Sequence, residues 1–210
     1  SDERPVGLLR GKGFPLGASA TAYPTEERTL LRVLRDQAAQ RPDKPWLIFD
    51  SSDSVTYAEA WSLTNRVANA LQGSVGEGAH VGLFMVNQVE FMPTFLGAMQ
   101  NRGITVPFNS LAKGPLLHYV VDWADVSVIV SRIDLLDRLE ALDDLGKTEL
   151  VVAVGEGEIP ESIHGTAVIR WDDWLADVDD TPRKGFPDYR EPCLIQFTSG
   201  TTGRPKGVML

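Results

Sequence analysis

The chain has 210 residues, of which 43% are apolar and 23% are charged, and its net charge at pH 7 is −9. These proportions are ordinary for a globular protein that can bury the core of one large domain or two small ones. The acidic balance argues against bulk nucleic-acid binding, and the single cysteine excludes an internal disulfide and fits a reducing, cytoplasmic compartment.

The N-terminal part of the chain predicts an irregular arm followed by a helix. Residues 1–24 contain several glycines and little hydrophobic periodicity, which is typical of irregular structure. Thr29 can cap a helix whose apolar residues recur at helical spacing, and Pro42 ends it. Two short strands are predicted next, at 46–49 and 54–56.

Cap motifs mark the next two helices. Thr56 and Glu59 have the types and spacing of a capping box, which begins the second helix, and Gly73 is expected to end it. Asn87 is expected to cap the third helix, with Glu90 as the acidic residue of its first turn.

Strands and helices alternate through the middle of the chain. Apolar strands are predicted at 81–86, 104–108, 127–130 and 150–154. With the helices between them, the last over 133–145, they predict βαβ units, an α/β fold with parallel sheets covered by helices. Pro107 indicates a strand end or an edge. Polar residues and Pro93 interrupt the apolar stretch 81–99, so no transmembrane segment is predicted.

The end of the chain has the composition of an anion-binding loop. A predicted buried strand at 194–197 precedes Thr198, Ser199, Gly200, Thr201, Thr202 and Gly203. Glycine N–H groups can converge on an anion because no Cβ blocks their approach. The hydroxyls add neutral donors, and Arg204 and Lys206 add positive charge. A flexible linker is the alternative, but a linker needs neither Pro205 nor cations at fixed places, so the pattern predicts a polyphosphate cradle.

The order of these residues distinguishes between two known classes of phosphate-binding loop. A P-loop needs Gly-Lys-Ser/Thr at its end, whereas here Lys206 stands between Pro205 and Gly207. The segment instead resembles the T-S-G-T-T-G-x-P-K-G signature of adenylate-forming, AMP-binding enzymes, with Arg204 at the variable position. That superfamily includes acyl-CoA synthetases, luciferases and peptide-synthetase adenylation domains. The resemblance implies activation of a carboxylate by ATP, which yields an acyl-adenylate and pyrophosphate.

Weaker similarities favour one branch of the superfamily. Residues 55–60 are similar to its L-T-Y-x-E-L segment, and residues 103–109 resemble its G-A-x-x-V-P-L stretch. Asn109, Lys113 and His118 resemble the N-x-x-x-K-G-x-x-L-x-H run of CoA ligases, whereas peptide synthetases usually carry aspartate at the first of these positions. The resemblance therefore implies the N-terminal portion of an acyl-CoA synthetase that activates a carboxylic acid, expected to be a fatty acid, as its acyl-adenylate and transfers it to coenzyme A.

The resemblance also implies an organisation and a set of ligands. Residues 1–24 would form the arm, 25–192 an α/β subdomain of the large N-terminal domain, and 193–210 a strand and the phosphate-binding loop. ATP, Mg²⁺ and coenzyme A are expected, with Lys206 catalytic, residues 198–203 on the nucleotide and no metal ligand in this part. The remainder of the enzyme would be missing or a separate chain, and this part alone inactive.

Two other functions remain open at this point. One is an amide-forming or peptide-synthetase enzyme, and the other is a non-catalytic nucleotide-binding module. Cys193 is interpreted as a small buried hydrophobe rather than a nucleophile. His118 is interpreted as structural rather than as a general base, because it lies alone on an amphipathic helix. His80 and His164 have no recognisable partners and are assigned no role.

Overall fold

The structure is a computed structural model that describes residues 23–24, 27–49, 54–198 and 205–210. Its α-helices are α1 (Leu30–Gln40), α2 (Tyr57–Val75), α3 (Phe91–Gln100), α4 (Pro115–Trp123), α5 (Leu136–Glu140) and α6 (Trp171–Leu175). Its strands are β1 (Pro45–Ile48), β2 (Ser54–Thr56), β3 (His80–Phe84), β4 (Ile104–Pro107), β5 (Val128–Arg132), β6 (Leu150–Val154), β7 (Ser162–Ile163), β8 (Thr166–Arg170), β9 (Ile195–Thr198) and β10 (Lys206–Met209). The predicted division into three segments stays a prediction.

The central sheet has the strand order β4-β3-β5-β6-β8-β7. The first five of these strands are parallel, and only β7 pairs in the antiparallel sense. The predicted α/β fold with a parallel sheet is thus confirmed. The apolar stretch 81–99 forms β3 and α3, and none of the helices described is long and apolar enough to cross a membrane.

Helices cover both faces of this sheet, because successive side chains of a strand point to opposite faces. On β5, Ile129 packs in a cluster with residues of α4 and α5, whereas Val130 packs in another cluster with residues of α2 and α6. Val151 and Val152 on β6 divide in the same way. Burial on both faces explains the continuous apolar runs at 128–130 in β5 and at 150–154 in β6.

The capping box of α2 is confirmed, but the end of that helix is not where the sequence placed it. The Glu59 N–H donates to Thr56 Oγ1 over 3.2 Å, and the Thr56 N–H donates to Glu59 Oε2 over 2.8 Å. The helix continues through Gly73 to Val75 and ends at Gly76, whose φ is +87°. The prediction for Gly73 was wrong because the left-handed backbone that favours glycine occurs at the later position.

The start of α3 also differs from the prediction. Asn87 does not cap this helix; the residue before its first turn is Glu90, which makes no side-chain cap. The Phe91 N–H instead donates to the Gln88 carbonyl over 3.2 Å, and Thr94 Oγ1 donates to the Glu90 carbonyl over 2.6 Å. A turn thus separates Asn87 from the helix, which begins three residues later than an Asn87 cap requires.

The helix predicted over 133–145 is interrupted. Residues Ile133–Leu135 form a 3₁₀ turn, α5 follows, and the chain then turns to Gly146, whose N–H donates to Asp144 Oδ1 over 2.7 Å. The apolar spacing that predicted one helix is still used, because the same core cluster takes in Leu135, Leu136, Leu139, Leu142 and Leu145.

The strands β9 and β10 form an antiparallel hairpin beside the edge strand β4. A parallel bridge joins Leu194 to Thr105, and the Thr105 N–H donates to the Cys193 carbonyl over 2.9 Å. Pro107 is the last residue of β4, at the edge of the six-stranded sheet, as its missing N–H predicts.

Candidate functional site

The candidate site lies where β4 and β9 end. Because Leu194 and Thr105 pair in the parallel sense, the carboxyl ends of the two strands lie at the same edge. In open α/β sheets, ligands bind beyond the carboxyl ends of the strands. The loop between β9 and β10 leaves the sheet at this edge, which is where the fold favours a ligand.

The structure brings together the two ends of the predicted phosphate loop. Thr198 and Lys206 face each other across the hairpin, and Thr198 Oγ1 donates to the Lys206 carbonyl over 3.3 Å. The other predicted site residues, Ser199, Gly200, Thr201, Thr202 and Gly203, lie outside the described residues, as does Arg204. Their contacts with phosphate stay predictions.

The Lys206 ammonium group is exposed at the base of this loop. Within 54–198 and 205–210, no carboxylate forms an ion pair with it. Its neighbour Gly207 faces Trp123 of α4, so the lysine side chain points to the opposite face of the hairpin. The cation can therefore meet an anion on the outer face without first leaving a described acidic partner.

Aromatic packing on α4 fixes the hairpin. Phe197 of β9 makes edge-to-face contacts with Trp123 and Tyr119, at ring-centroid distances of 5.5 and 6.4 Å. A Cβ at Gly207 would lie 2.4 Å from Trp123 Cζ3, so only glycine allows this approach of strand and ring. Sequence reasoning did not find Trp123 or Tyr119, because neither belongs to a motif and each acts through a residue distant in sequence.

A cavity of about 380 Å³ adjoins the hairpin. Its lining includes Pro107, Phe108, Leu117, Val120, Phe197 and Thr198. Cavities of this size and largely apolar lining hold small organic molecules. Asn109 also lines it, and its Oδ1 accepts the Leu111 N–H over 2.9 Å, which shapes the loop after β4.

His118 lies on the other side of α4, in a more open cavity of about 710 Å³ that also reaches Pro205. Its Nε2 lies 3.2 Å from Asp144 Oδ1. The Gly146 N–H, and secondarily His118, lower the pKa of the Asp144 carboxyl. This pair joins α4 to the turn after α5, which supports the structural interpretation of His118.

The remaining histidines and the cysteine have structural partners. His80 Nδ1 lies 2.6 Å from the Ala124 carbonyl, and His164 Nε2 lies 3.2 Å from the Leu139 carbonyl. Cys193 is half-buried, and desolvation raises the pKa of its thiol, which disfavours the nucleophilic thiolate. The part of the chain that the structure describes holds no group of three or more His, Cys, Asp or Glu side chains that could hold a metal ion.

Comparisons with known proteins agree with this arrangement. A medium/long-chain-fatty-acid–CoA/3-oxocholest-4-en-26-oate–CoA ligase of Mycobacterium marinum is 30% identical over 176 residues, which are 80% of this chain and 31% of that protein. Tyrocidine synthase 3 of Brevibacillus parabrevis is 26% identical over 197 residues, 91% of this chain and 3% of that protein. The chain thus spans less than a third of the length of these relatives.

Solved structures show the same fold. The crystal structure of the anthranilate CoA ligase AuaEII with anthranoyl-AMP superposes with a TM-score of 0.78 at 25% identity, over 90% of this chain and 36% of that one. The profile of the family described as AMP-binding enzyme matches residues 34–210. This match covers most of the chain and includes the hairpin and its loop, which confirms the resemblance that the T-S-G-T-T-G-x-P-K-G signature suggested. The chain belongs to the family of AMP-binding enzymes.

Proposed function

We propose that this chain is the phosphate-binding portion of an ATP-dependent acid–CoA ligase. The observation that carries the proposal is the pairing of Thr198 with Lys206 at the carboxyl edge of the sheet. It brings a hydroxyl and an ammonium group to the two ends of the glycine-rich loop. The ligase from Mycobacterium marinum supports a fatty acid as the substrate, and we propose a cytoplasmic enzyme of fatty-acid metabolism.

The proposed reaction has two steps. A carboxylate oxygen of the acid attacks the α-phosphorus of ATP, the bond to the β-phosphate oxygen breaks, and pyrophosphate leaves. The thiolate of coenzyme A then attacks the acyl carbonyl, and AMP leaves with the electrons of the broken C–O bond. Mg²⁺ would arrive with the ATP phosphates, since the described residues offer it no ligand cluster.

Lys206 has its role in the first of these steps. Negative charge develops on the leaving pyrophosphate, and a preorganised cation is most effective where charge develops. The hydroxyls and N–H groups of residues 198–203 would hold the β- and γ-phosphates beside it. In the second step the loop holds no polyphosphate, so the lysine contributes little.

A second candidate is an amide-forming or peptide-synthetase enzyme. The similarity to tyrocidine synthase 3 over 91% of this chain favours it. Asn109 speaks against this candidate, since peptide synthetases usually carry aspartate at this position. The evidence is weak, because aspartate also has a side-chain oxygen that could accept the Leu111 N–H. A panel of fatty acids and amino acids in ATP–pyrophosphate exchange separates the two candidates by the acid that supports exchange.

Substitution of Lys206 tests the proposed phosphate role. In the whole enzyme, Lys206→Ala should slow acyl-adenylate formation about ten- to hundredfold, because a charge-assisted hydrogen bond is worth roughly 1.5–3 kcal/mol. Release of pyrophosphate measures this step, and thioester formation from preformed acyl-adenylate measures the other. Thr201→Val and Thr202→Val should each cost less, roughly 0.5–1.5 kcal/mol.

The matched control is Lys147→Ala. Lys147 is 71% exposed and pairs with Asp125 over 2.7 Å, just before the amino end of β6 and thus at the opposite edge of the sheet. The Lys147→Ala substitution removes the same positive charge as Lys206→Ala and should change the rate of neither step. Equal losses in both steps for Lys206→Ala, or a silent Lys206→Met, would refute the phosphate role. The 210-residue chain alone is expected to show no exchange above a heat-killed blank.

A further inference from the structure

We propose that Trp123 is a positioning residue for the phosphate loop, because its indole ring sets where both strands of the hairpin lie at the point from which the loop leaves. This inference rests on the proposed function of the loop. Trp123 is the last residue of α4, and half of its surface is exposed. The helix that carries it is anchored by Leu117 and Val121, which are fully buried in the core.

The ring contacts both strands beside the loop. Its edge-to-face contact is with Phe197, which directly precedes Thr198, and its close approach is to Gly207, which directly follows Lys206. A displacement of the ring therefore moves the residues at both ends of the loop together.

The backbone of β4 offers the hairpin no N–H donor at this end. The Thr105 N–H donates to the Cys193 carbonyl, and the next donor of a parallel ladder would stand two residues further along β4. That residue is Pro107, which has no N–H. The bridge between Leu194 and Thr105 thus lies at the start of β9, whereas Trp123 contacts both strands nearer the loop.

Removal of the Trp123 ring and a steric clash with it should both weaken pyrophosphate binding. Trp123→Leu removes the aromatic contact, whereas Gly207→Ala places a methyl group where the ring lies, so that the ring or the strand must move. Each variant should weaken binding of Mg²⁺-pyrophosphate to the 210-residue chain about three- to tenfold, the equivalent of one aromatic pair. With Trp123→Leu the clash disappears, so Gly207→Ala should reduce the affinity for pyrophosphate less in the double variant than it does alone.

Two controls separate positioning from general stability. Trp123→Phe keeps an aromatic ring and should retain most of the affinity. Trp171→Leu removes a tryptophan that is 7% exposed in the core cluster on the opposite face of the sheet. It should lower Tm more than Trp123→Leu does, and the folded protein should bind pyrophosphate as tightly as the wild type.

A spectroscopic signal completes the experiment. The chain has five tryptophans, so 5-fluorotryptophan labelling should give five ¹⁹F resonances, and Trp123→Phe assigns one. We expect that resonance to shift in Gly207→Ala and upon addition of pyrophosphate, with those of Trp171 and Trp174 unmoved. Affinity within twofold of wild type for Trp123→Leu would overturn the positioning role while the proposed function stands. If the wild type binds no pyrophosphate, the proposed function fails for this chain. The inference about Trp123 would be overturned separately if its resonance did not move and if the Tm changes of Trp123→Leu and Gly207→Ala simply added in the double variant.

Discussion

The parallel sheet and the β9–β10 hairpin are built in opposite ways. In the sheet, the central strands β5 and β6 are paired on both sides, and helices bury both faces. The hairpin lies beside the sheet's edge, with Ile195 and Phe197 packed inward and Gln196, Thr198 and Lys206 exposed on its outer face. Ligand-binding segments commonly belong to the less stable parts of a fold. The comparison leads us to expect that the sheet supplies stability and that the hairpin carries the proposed site.

The largest expected effect falls on the sheet. Ile129→Ala removes a fully buried side chain from β5, an interior strand of the sheet, and should lower the free energy of unfolding by about 2–5 kcal/mol. For a chain of this size, Tm falls by about 2–4 °C for each kcal/mol. Thermal and urea unfolding measure the loss, and pyrophosphate affinity below Tm should match wild type. A weakened affinity in the folded variant would mean that sheet and site are not separable.

An intermediate effect is expected at the start of α2, also remote from the hairpin. Thr56→Ala removes the capping oxygen and should cost about 0.5–2 kcal/mol of stability, measured by urea unfolding. The N–H of Thr56, followed by its hydroxyl, lowers the pKa of Glu59 below its ordinary value of 4.5.

The sign of the pH dependence follows from that lowered pKa. The stabilisation by ionised Glu59 is complete above pH 4.5 and is lost as the pH falls through the lower pKa of the folded state. In Glu59→Gln, this part of the acid dependence should vanish. Parallel acid-unfolding curves for Glu59→Gln and wild type would contradict the capping role.

The smallest effect is expected where the sequence predicted a cap and the structure has none. Asn87→Ala should change stability by less than about 0.5 kcal/mol, as for other exposed residues without a specific partner. Urea unfolding of Asn87→Ala and Thr56→Ala compares the stability loss at a residue that caps no helix with the loss at one that caps α2. A loss as large as that of Thr56→Ala would show that Asn87 caps α3 after all.

Local signals explain what the sequence alone determined. The capping box, the apolar strands and the strand end at Pro107 all depend on residues within a few positions of one another. The signature from Thr198 to Gly207 identified the family for the same reason, since its chemistry is contiguous in the chain. Short-range stereochemistry and hydrophobic periodicity are sufficient for features of this kind.

Tertiary structure decided what depends on contacts between distant residues. Gly73 and Gly76 are equally acceptable helix ends in the sequence, and the Gly76 carbonyl accepts a hydrogen bond from Asn101 Nδ2 over 2.8 Å, a contact with a residue distant in the chain that favours the later end. The packing of Trp123 between Phe197 and Gly207 has no local signal, because α4 and the hairpin meet only after the sheet has formed. The sequence thus predicted which residues would bind phosphate, whereas the packed core determined where Thr198 and Lys206 lie, since their positions depend on contacts with a helix distant in sequence.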